Sequence, residues 1–323
     1  MRTLVGTVGQ SVLATDDGDR WERSGPNAGF HSDAIVRTLV NRPEAPEVVW
    51  AGTDQGILRS DDAGRHWRKL DSPLRGQQVW RISLHPSDPK VVFAGTGTPS
   101  RAAVYRSDDD GSTWRQLPMD IALECAAVGV PRITDVAVDP DDPLKLWASI
   151  EVDGMRRSFD GGESWVRING AITNPDGHAA TVTSGPPKSV FLTVNNEIFV
   201  SRDDGSSWQA VAVKQHFPYT HIRDLVFSAV DPCVAWAAIG DSTPGTTGAL
   251  MQTRDAGLTW AAAMLSQPPN SAMWVVRTQP DHPERVLAAS RYGYLYESSD
   301  GGNSFTKLRR EFSEVAAIVW IPD

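Results

Sequence analysis

Short apolar, β-branched runs alternate with polar turns along the whole chain. Residues 48–70 show the pattern clearly: the run VVWAGT, a short polar turn, a second run (GILRS), a turn rich in aspartate and glycine, and a third run (HWRKL). Such runs, separated by Gly, Asp and Asn, are typical of antiparallel strands. One more alternating run precedes each unit, as in VWRISLHP from Val79 and ITDVAVDP from Ile133. The pattern therefore predicts four strands per unit.

The aspartate-rich turn of each unit repeats the motif Ser/Thr-x-Asp-x-Gly-x-Ser/Thr-Trp, and we call these segments the aspartate turns. The four full copies begin at Ser107, Ser158, Ser201 and Thr253. The three degenerate copies end in Trp21, Trp67 and Phe305. The final aromatic residues of successive copies lie 43–52 residues apart, and the seven copies cover the chain.

Four strands repeated at this period predict a β-propeller. The chain enters at a run that corresponds to a second strand, TLVGT from Thr3, and ends with an inner-strand run, VAAIVWIP from Val315. Pairing these two runs would close the ring and remove exposed strand edges. We therefore expect an all-β fold, a single seven-bladed β-propeller of four-stranded antiparallel blades over residues 1–323, closed by the C-terminal strand pairing with the N-terminal blade.

The aspartate turns have a structural explanation. A turn aspartate can accept hydrogen bonds from backbone N–H groups, glycine can adopt a positive φ, and the tryptophan can pack into the blade. Catalysis needs different residues that converge on one place, whereas these carboxylates repeat around a ring. We therefore do not treat them as a site.

The aspartate turns are similar to Asp-box repeats, also called BNR repeats, over the whole chain. That family includes sialidases, other glycoside hydrolases and photosystem II assembly factors. Seven blades without added domains resemble the assembly-factor type more than the sialidases, whose Arg-Ile-Pro element has only Pro131-Arg132-Ile133-Thr134 as its nearest counterpart here. Sialidase activity is therefore not expected. Xyloglucanase-like members pair two such propellers around a cleft, and this chain supplies one.

Composition narrows the function. The chain has 31 basic and 40 acidic residues, a net charge of −9 and no basic block, which argues against a nucleic-acid partner. It has no apolar run near the ~20 residues that span a bilayer and no secretory signal, so we expect a cytoplasmic protein without a membrane partner. Cys125 and Cys233 are expected to be ordinary thiols. We expect a monomer without a cofactor, although a divalent metal held by histidines stays an open alternative.

A candidate pocket follows from the blade geometry. Inner strands begin on the face that also carries the blade links and the turns between second and third strands; we call it the top face. The arginines at or near these strand starts are Arg37, Arg81, Arg132 and Arg223. Guanidinium groups around the channel would bind a carboxylate or phosphate. The alternative is that Asp135 and Asp224 neutralise them in structural pairs.

Other candidates for ligand contact are aromatic or histidine residues. Trp80 and Trp274 occupy the second position of inner strands, where they would stack on a ligand or pack in the core, and Tyr292 and Tyr294 flank a tight turn. The histidines assigned to top-face links are His31, His178, His216 and His221. We expect His178 and His221 to be catalytic and His31 and His216 to contact substrate.

Three carboxylates complete the candidate site. Glu124 lies in a long, partly apolar link that could act as a lid, and Glu151 and Asp153 bracket a top-face turn. A carboxyl group in apolar surroundings has a raised pKa and can transfer protons. Two functions remain open: a hydrolase-like or lyase-like enzyme acting on an anionic or sugar-like substrate, or a non-catalytic scaffold that binds a protein partner through the same face. No nucleophile–base spacing identifies a reaction.

Overall fold

The apolar runs of the repeats form β-strands in the computed structural model, which describes residues 1–168, 170–185 and 188–322. Two short helical segments, a 3₁₀ turn at Pro26–Ala28 and α1 at Val213–His216, interrupt the strands. Neither is long and apolar enough to cross a bilayer, and the same holds for the rest of the described chain.

The strands of the first half are β1 (Arg2–Thr7), β2 (Val12–Thr15), β3 (Glu22–Ser24), β4 (Val36–Arg42), β5 (Ala45–Thr53), β6 (Gly56–Ser60), β7 (Arg68–Lys69), β8 (Val79–Leu84), β9 (Val92–Thr96), β10 (Val104–Ser107), β11 (Arg115–Gln116), β12 (Ile133–Val138), β13 (Leu146–Ile150), β14 (Gly154–Ser158) and β15 (Val166–Arg167). Those of the second half are β16 (Gly177–Val182), β17 (Val190–Val194), β18 (Glu197–Ser201), β19 (Gln209–Ala210), β20 (His221–Phe227), β21 (Ala235–Gly240), β22 (Gly248–Thr253), β23 (Ala261–Ala262), β24 (Met264–Leu265), β25 (Met273–Arg277), β26 (Val286–Ser290), β27 (Tyr294–Ser298), β28 (Ser304–Glu311) and β29 (Val315–Ile321).

The described strands form seven antiparallel blades in a ring, which confirms the predicted β-propeller. Blade 1 has the order β29-β1-β2-β3, blades 2 to 6 follow as β4–β7, β8–β11, β12–β15, β16–β19 and β20–β23, and blade 7 contains β25–β28. The C-terminal strand β29 pairs with β1 from Arg2↔Ile321 to Thr7↔Val315, so the predicted closure is also confirmed. Blade 7 departs from four strands, because β24 adds a short parallel pairing to β28.

The hydrophobic core lies between neighbouring blades. Trp50 of blade 2 is 1% exposed and packs with Val79 and Ile82 of blade 3. Gly111, from the aspartate turn of blade 3, lies against this ring, and a Cβ at Gly111 would stand 2.6 Å from it. The equivalent Trp147 and Trp236 are also buried.

Each full aspartate turn is held by its own hydrogen bonds. In blade 3 the Gly111 amide donates to the Ser107 hydroxyl (2.9 Å), the Thr113 amide to Asp109 Oδ1 (2.7 Å) and Trp114 Nε1 to the Gly111 carbonyl (3.1 Å). The same pattern of donors lowers the pKa of the aspartate, to about 2 for Asp160 in blade 4. The turns therefore stabilise the blades, as predicted.

Every inner strand contains a β-bulge near its top end. The pairing register with the second strand shifts by one residue there, and this leaves a single residue without a ladder partner. These bulge residues are Arg37, Trp80, Thr134, His178, Arg223, Trp274 and Ala316. A bulge turns the side chain of the extra residue away from the alternation of its strand. The bulge residues of all seven blades are thereby collected around the propeller axis.

Candidate functional site

A cavity of about 630 Å³ opens at the top end of the axis. Six bulge residues line it, namely Arg37, Trp80, Thr134, His178, Arg223 and Trp274. Blade links and second-to-third-strand turns supply the rest: Arg132, Glu151, Asp176, Asn195, Thr220, His221, Asp241, Ser242, Thr243 and Arg291. The cavity therefore lies on the top face, where the repeat geometry predicts it.

One side of the cavity is built from arginines stacked on tryptophans. Trp80 of blade 3 lies between blades 2 and 4, which place the guanidinium carbons of Arg37 and Arg132 4.2 and 4.7 Å from its ring centroid. Trp274 carries Arg223 and Arg291 in the same way, at 4.5 and 4.4 Å. Cation–π contact offsets part of the repulsion between neighbouring guanidinium groups. Because the indoles are already occupied, they support arginines rather than offer free faces for stacking on a ligand.

Two of these four arginines are neutralised and two are not. Arg132 pairs with Glu151, and Arg291 pairs with Glu314. Arg37 and Arg223 form no ion pair with any described carboxylate, and Arg37 Nε is buried without a hydrogen-bond partner. Burial, together with neighbouring arginines, lowers the pKa of Arg37 and of Arg223 to about 10, so both are cationic at neutral pH. Two guanidinium groups that form no ion pair with a described carboxylate therefore face the cavity.

The opposite side of the cavity holds two histidines in mutual contact. The rings of His178 and His221 meet edge to face, with centroids 5.1 Å apart. His178 Nδ1 lies 2.5 Å from the Ile222 carbonyl, which can only accept, so Nδ1 carries a proton. His178 Nε2 faces Asp176 Oδ1 at 3.6 Å. His221 Nδ1 is 2.8 Å from Asn195 Oδ1, and the Thr243 hydroxyl contacts the same ring.

Burial, together with the nearby charges of His178 and Arg223, lowers the pKa of His221 to about 4. His221 is therefore a neutral imidazole at physiological pH. A neutral ring whose Nδ1–H is held by an amide oxygen presents Nε2 as an acceptor. In this state it can hold a ligand hydroxyl or the hydroxyl of Thr243.

Two carboxyl groups in the cavity differ in their protonation tendency. Burial raises the pKa of Glu151 by more than Arg132 lowers it, and Glu151 Oε2 is buried without a hydrogen-bond partner. Burial also acts to raise the pKa of Asp176, but hydrogen bonding and charge from His178 and His221 outweigh it, so the pKa is lowered. The Asp176 charge itself contributes to the rise at Glu151. A coupled pair of carboxyl groups with opposite shifts is the usual arrangement of an acid and a base.

Arg81 does not line this cavity. It is the residue after the bulge in β8, and its Nε approaches Asp135 Oδ1 at 2.8 Å below the cavity. Asp135 is buried and also accepts the amide of Ala180 (3.2 Å), so this pair braces neighbouring blades. The structural pairing considered as the alternative for these arginines therefore describes Arg81. Asp224 pairs with Arg277 (2.9 Å) instead of neutralising Arg223.

Other predicted residues also lie away from the cavity. Asp153 is buried in an ion pair with Arg156 (2.9 Å) and accepts the amide of Ala122 (3.1 Å), which anchors the long link of blade 4 to the outside of the turn. Glu124, in that link, is exposed. Neither residue lines the cavity, and Glu124 is not in the apolar surroundings that the predicted proton transfer requires.

The predicted tyrosines and two of the histidines are likewise outside the lining. Tyr292 is 41% exposed, and Tyr294 packs under Lys307, whose Nζ is 4.3 Å from the ring centroid. His31 and His216 are solvent-exposed. The structure thus brings together Arg37, Arg132, Arg223, Trp80, Trp274, His178, His221 and Glu151.

Eight residues of the cavity lining were not predicted as site residues from the sequence: Thr134, Asp176, Asn195, Thr220, Asp241, Ser242, Thr243 and Arg291. For Thr134 a signal existed, because it occupies the same second position of an inner strand as Trp80 and Trp274. The others lie in turns and links of unequal length, where alignment of repeats fails. Within residues 1–168, 170–185 and 188–322, no group of three or more acidic, histidine or cysteine side chains is placed to hold a metal ion.

Comparison with known proteins finds relatives of this architecture, although no protein family model matches the chain. The xyloglucanase of Hypocrea jecorina is 24% identical over 273 residues, which is 70% of this chain and 32% of that protein. The oligoxyloglucan-reducing end-specific xyloglucanase of Emericella nidulans is 25% identical over 191 residues, 54% of this chain and 24% of that protein. The chain thus spans at most about a third of the length of these relatives.

Solved structures share the fold at lower identity. The GH74 enzyme of Niastella koreensis superposes with a TM-score of 0.67 at 21% identity and covers 84% of this chain and 45% of its own. The structure of YCF48 bound to D1 peptide gives a TM-score of 0.63 at 20% identity, with 91% of this chain and 88% of its own covered. The chain is therefore a seven-bladed β-propeller, with a polar, arginine-rich cavity on its axis.

Proposed function

We propose that the protein is a hydrolase of the glycosidase type that binds an acidic saccharide in the top cavity. The observation that carries this proposal is the juxtaposition of Glu151 and Asp176, with oppositely shifted pKa values, and the unpaired guanidinium groups of Arg37 and Arg223. The arginines would bind the acidic group of the sugar, and the carboxyl groups would act on the adjoining glycosidic bond.

In this reaction Glu151 is the acid. Its protonated carboxyl group gives its proton to the glycosidic oxygen as the bond from that oxygen to the anomeric carbon breaks. Asp176, whose pKa is lowered chiefly by its interaction with His178, takes a proton from the water that attacks the anomeric carbon. Arg132 orients Glu151, and burial still raises the pKa of Glu151 against the effect of the Arg132 charge. His221, neutral at this pH, holds a sugar hydroxyl.

The relatives support a carbohydrate substrate, since the curated matches are named as xyloglucanases. We propose in addition that the aspartate turns are true Asp-box repeats, a motif shared with glycoside hydrolases. The acidic character of the substrate rests on this chain alone, on Arg37 and Arg223. We propose a monomeric, cytoplasmic enzyme that needs no metal.

A second candidate is a scaffold that binds an acidic peptide segment through the same arginines. The observation that favours it is that Arg37 and Arg223 stand at the open end of the axis, where an extended segment can reach them. Such a scaffold would use the arginines and leave Glu151 and Asp176 without a chemical role.

Hydrolysis of a saccharide panel separates the two candidates. Purified protein is incubated with oligogalacturonides, glucuronic-acid-substituted xylo-oligosaccharides and neutral xyloglucan oligosaccharides, and new reducing ends are measured. We expect release from an acidic substrate, reduced about 10²–10⁴-fold by Glu151→Gln or Asp176→Asn. The exposed Glu124→Gln is the matched control and should retain activity. Binding of acidic ligands without release of reducing ends, or equal activity in Glu151→Gln, would contradict the enzyme and favour the scaffold.

A further inference from the structure

The arginine side of the cavity consists of two groups of identical composition. Each contains one unpaired arginine, one tryptophan, one paired arginine and one glutamate, and we call them the two quartets. The first is Arg37, Trp80, Arg132 and Glu151; the second is Arg223, Trp274, Arg291 and Glu314. They come from different blades, so their likeness is not a consequence of one local segment.

The quartets flank blade 1, whose bulge residue is Ala316. Ala316 lines a small cavity beneath the main one, together with Arg37, Arg223 and both tryptophans. Arg37 and Arg291, on either side of blade 1, are close enough that the Arg291 charge is the main electrostatic influence on Arg37. A methyl group at the position between them leaves this space free for a ligand.

Charge counting then defines the ligand. Each quartet holds one arginine that forms an ion pair with a glutamate and one arginine that forms none with a described carboxylate, namely Arg37 in the first and Arg223 in the second. A ligand with one anionic group can neutralise one quartet and leaves the other buried charge unpaired, which is costly. A ligand with two anionic groups satisfies both.

We propose that the ligand of this cavity carries two anionic groups, one for each quartet. The inference rests on the proposed function in that the same cavity takes the substrate, and it specifies an acidic saccharide with acidic groups on two of its sugar units. Trp80 and Trp274 are positioning residues, because each holds two guanidinium groups toward one anionic group of the ligand.

Calorimetric titration of the full chain tests the proposal with ligand pairs of equal chemistry and different charge. The pairs are glutarate with butyrate, and digalacturonic acid with galacturonic acid. We expect each dianion to bind at least about tenfold more tightly than its monoanion, because the second contact is made within the same complex. Arg37→Gln and Arg223→Gln should each remove most of this preference. Arg309→Gln is the matched control, since it removes an equal charge from an exposed position on β28 and should leave the preference intact.

A second variant supplies the missing carboxylate from the protein. Ala316→Glu places an acid between the quartets, and we expect it to weaken dianion binding at least about tenfold without lowering the melting temperature. The proposal is overturned if monoanions and dianions bind equally, if no dianion binds at millimolar concentration, or if Arg37→Gln and Arg223→Gln both leave the preference unchanged.

The two proposals fail in different ways. Glutarate has no glycosidic bond, so its binding does not depend on hydrolysis. Preference for glutarate over butyrate without cleavage of any saccharide would contradict the proposed hydrolase activity and support the dianion site. Cleavage of acidic saccharides without preference for dianions would do the reverse.

Discussion

Removal of residues 314–323 should abolish the native fold, because it deletes the inner strand of blade 1. Six of the seven side chains lost with β29 are apolar and buried: Val315, Ala317, Ile318, Val319, Trp320 and Ile321. Burial of one large apolar side chain contributes about 1.5–3 kcal/mol, so the five larger ones contribute roughly 8–15 kcal/mol. That is comparable with the whole stability of a typical domain, about 5–15 kcal/mol. The truncation also exposes the pairing edge of β1.

The assay combines circular dichroism, urea unfolding and size-exclusion chromatography. We expect the truncated chain to aggregate or to lose its cooperative transition. Truncation after Ile321, which leaves β29 intact, is the control and should unfold like the full chain. Trp320→Ala gives an intermediate case with an expected loss of roughly 3–5 kcal/mol, since its ring is fully buried. A soluble, monomeric truncated protein with an unchanged urea midpoint would refute the closure argument.

Three further perturbations test other parts of the structure. Arg81→Met should destabilise the protein by roughly 3–5 kcal/mol in urea unfolding, because it leaves Asp135 buried without its partner. Adding Asp135→Asn to this variant should restore much of the lost stability. Equal stability of Arg81→Met and wild type would contradict a stabilising role of the Arg81–Asp135 ion pair. The aspartate turns hold Asp160, Asp203 and Asp300 at a pKa of about 2, below the ordinary 3.8, so their stabilisation is complete above that value and is lost as the pH falls toward 2. Melting temperature measured against pH should therefore fall steeply in this window and less steeply after Asp203→Asn; an unaltered slope would mean that the turn carboxylate is not the cause. Gly293→Ala should lower the melting temperature, since Gly293 has φ +89° and a Cβ there would stand 2.1 Å from the Phe312 carbonyl oxygen, whereas Gly301→Ala, also at positive φ but with open space around it, is the control for backbone strain alone.

The blades were predictable because their determinants are local. The aspartate turn contains its own donors and acceptors within residues such as 107–114, and the apolar runs beside it encode strands by alternation. Closure was predictable for the same reason, since a missing inner strand at one end of the chain matches an extra one at the other. These features repeat in every unit and can be compared between units.

The site was only partly predictable, because bulges decide which side chains reach it. Both Arg37 and Arg81 were selected from the sequence because each lies near the start of an inner strand. In β8, however, the register shift directs the side chain of Trp80 to the cavity, and not that of Arg81. Trp80 and Trp274 were correctly placed there, but their contact with four arginines depends on residues from other blades. Glu124 was predicted to transfer protons because its neighbours in the sequence are apolar. Asp176 lies in a link without such an apolar run, so there was no reason in the sequence to select it. Contacts between links of unequal length follow from the assembled ring and not from any one repeat.

The recurring β-bulge separates the chemistry of the axis from the packing of the blades. Its extra residue belongs to neither face of the strand's alternation, so Arg, Trp, Thr, His and Ala all occupy this position in one molecule, while the residue before it is an apolar residue or glycine in every blade. A lineage could therefore alter one bulge residue at a time and obtain a new ligand preference without rebuilding the core. The propeller in effect offers seven exchangeable positions around one axis, and this chain records one combination of them.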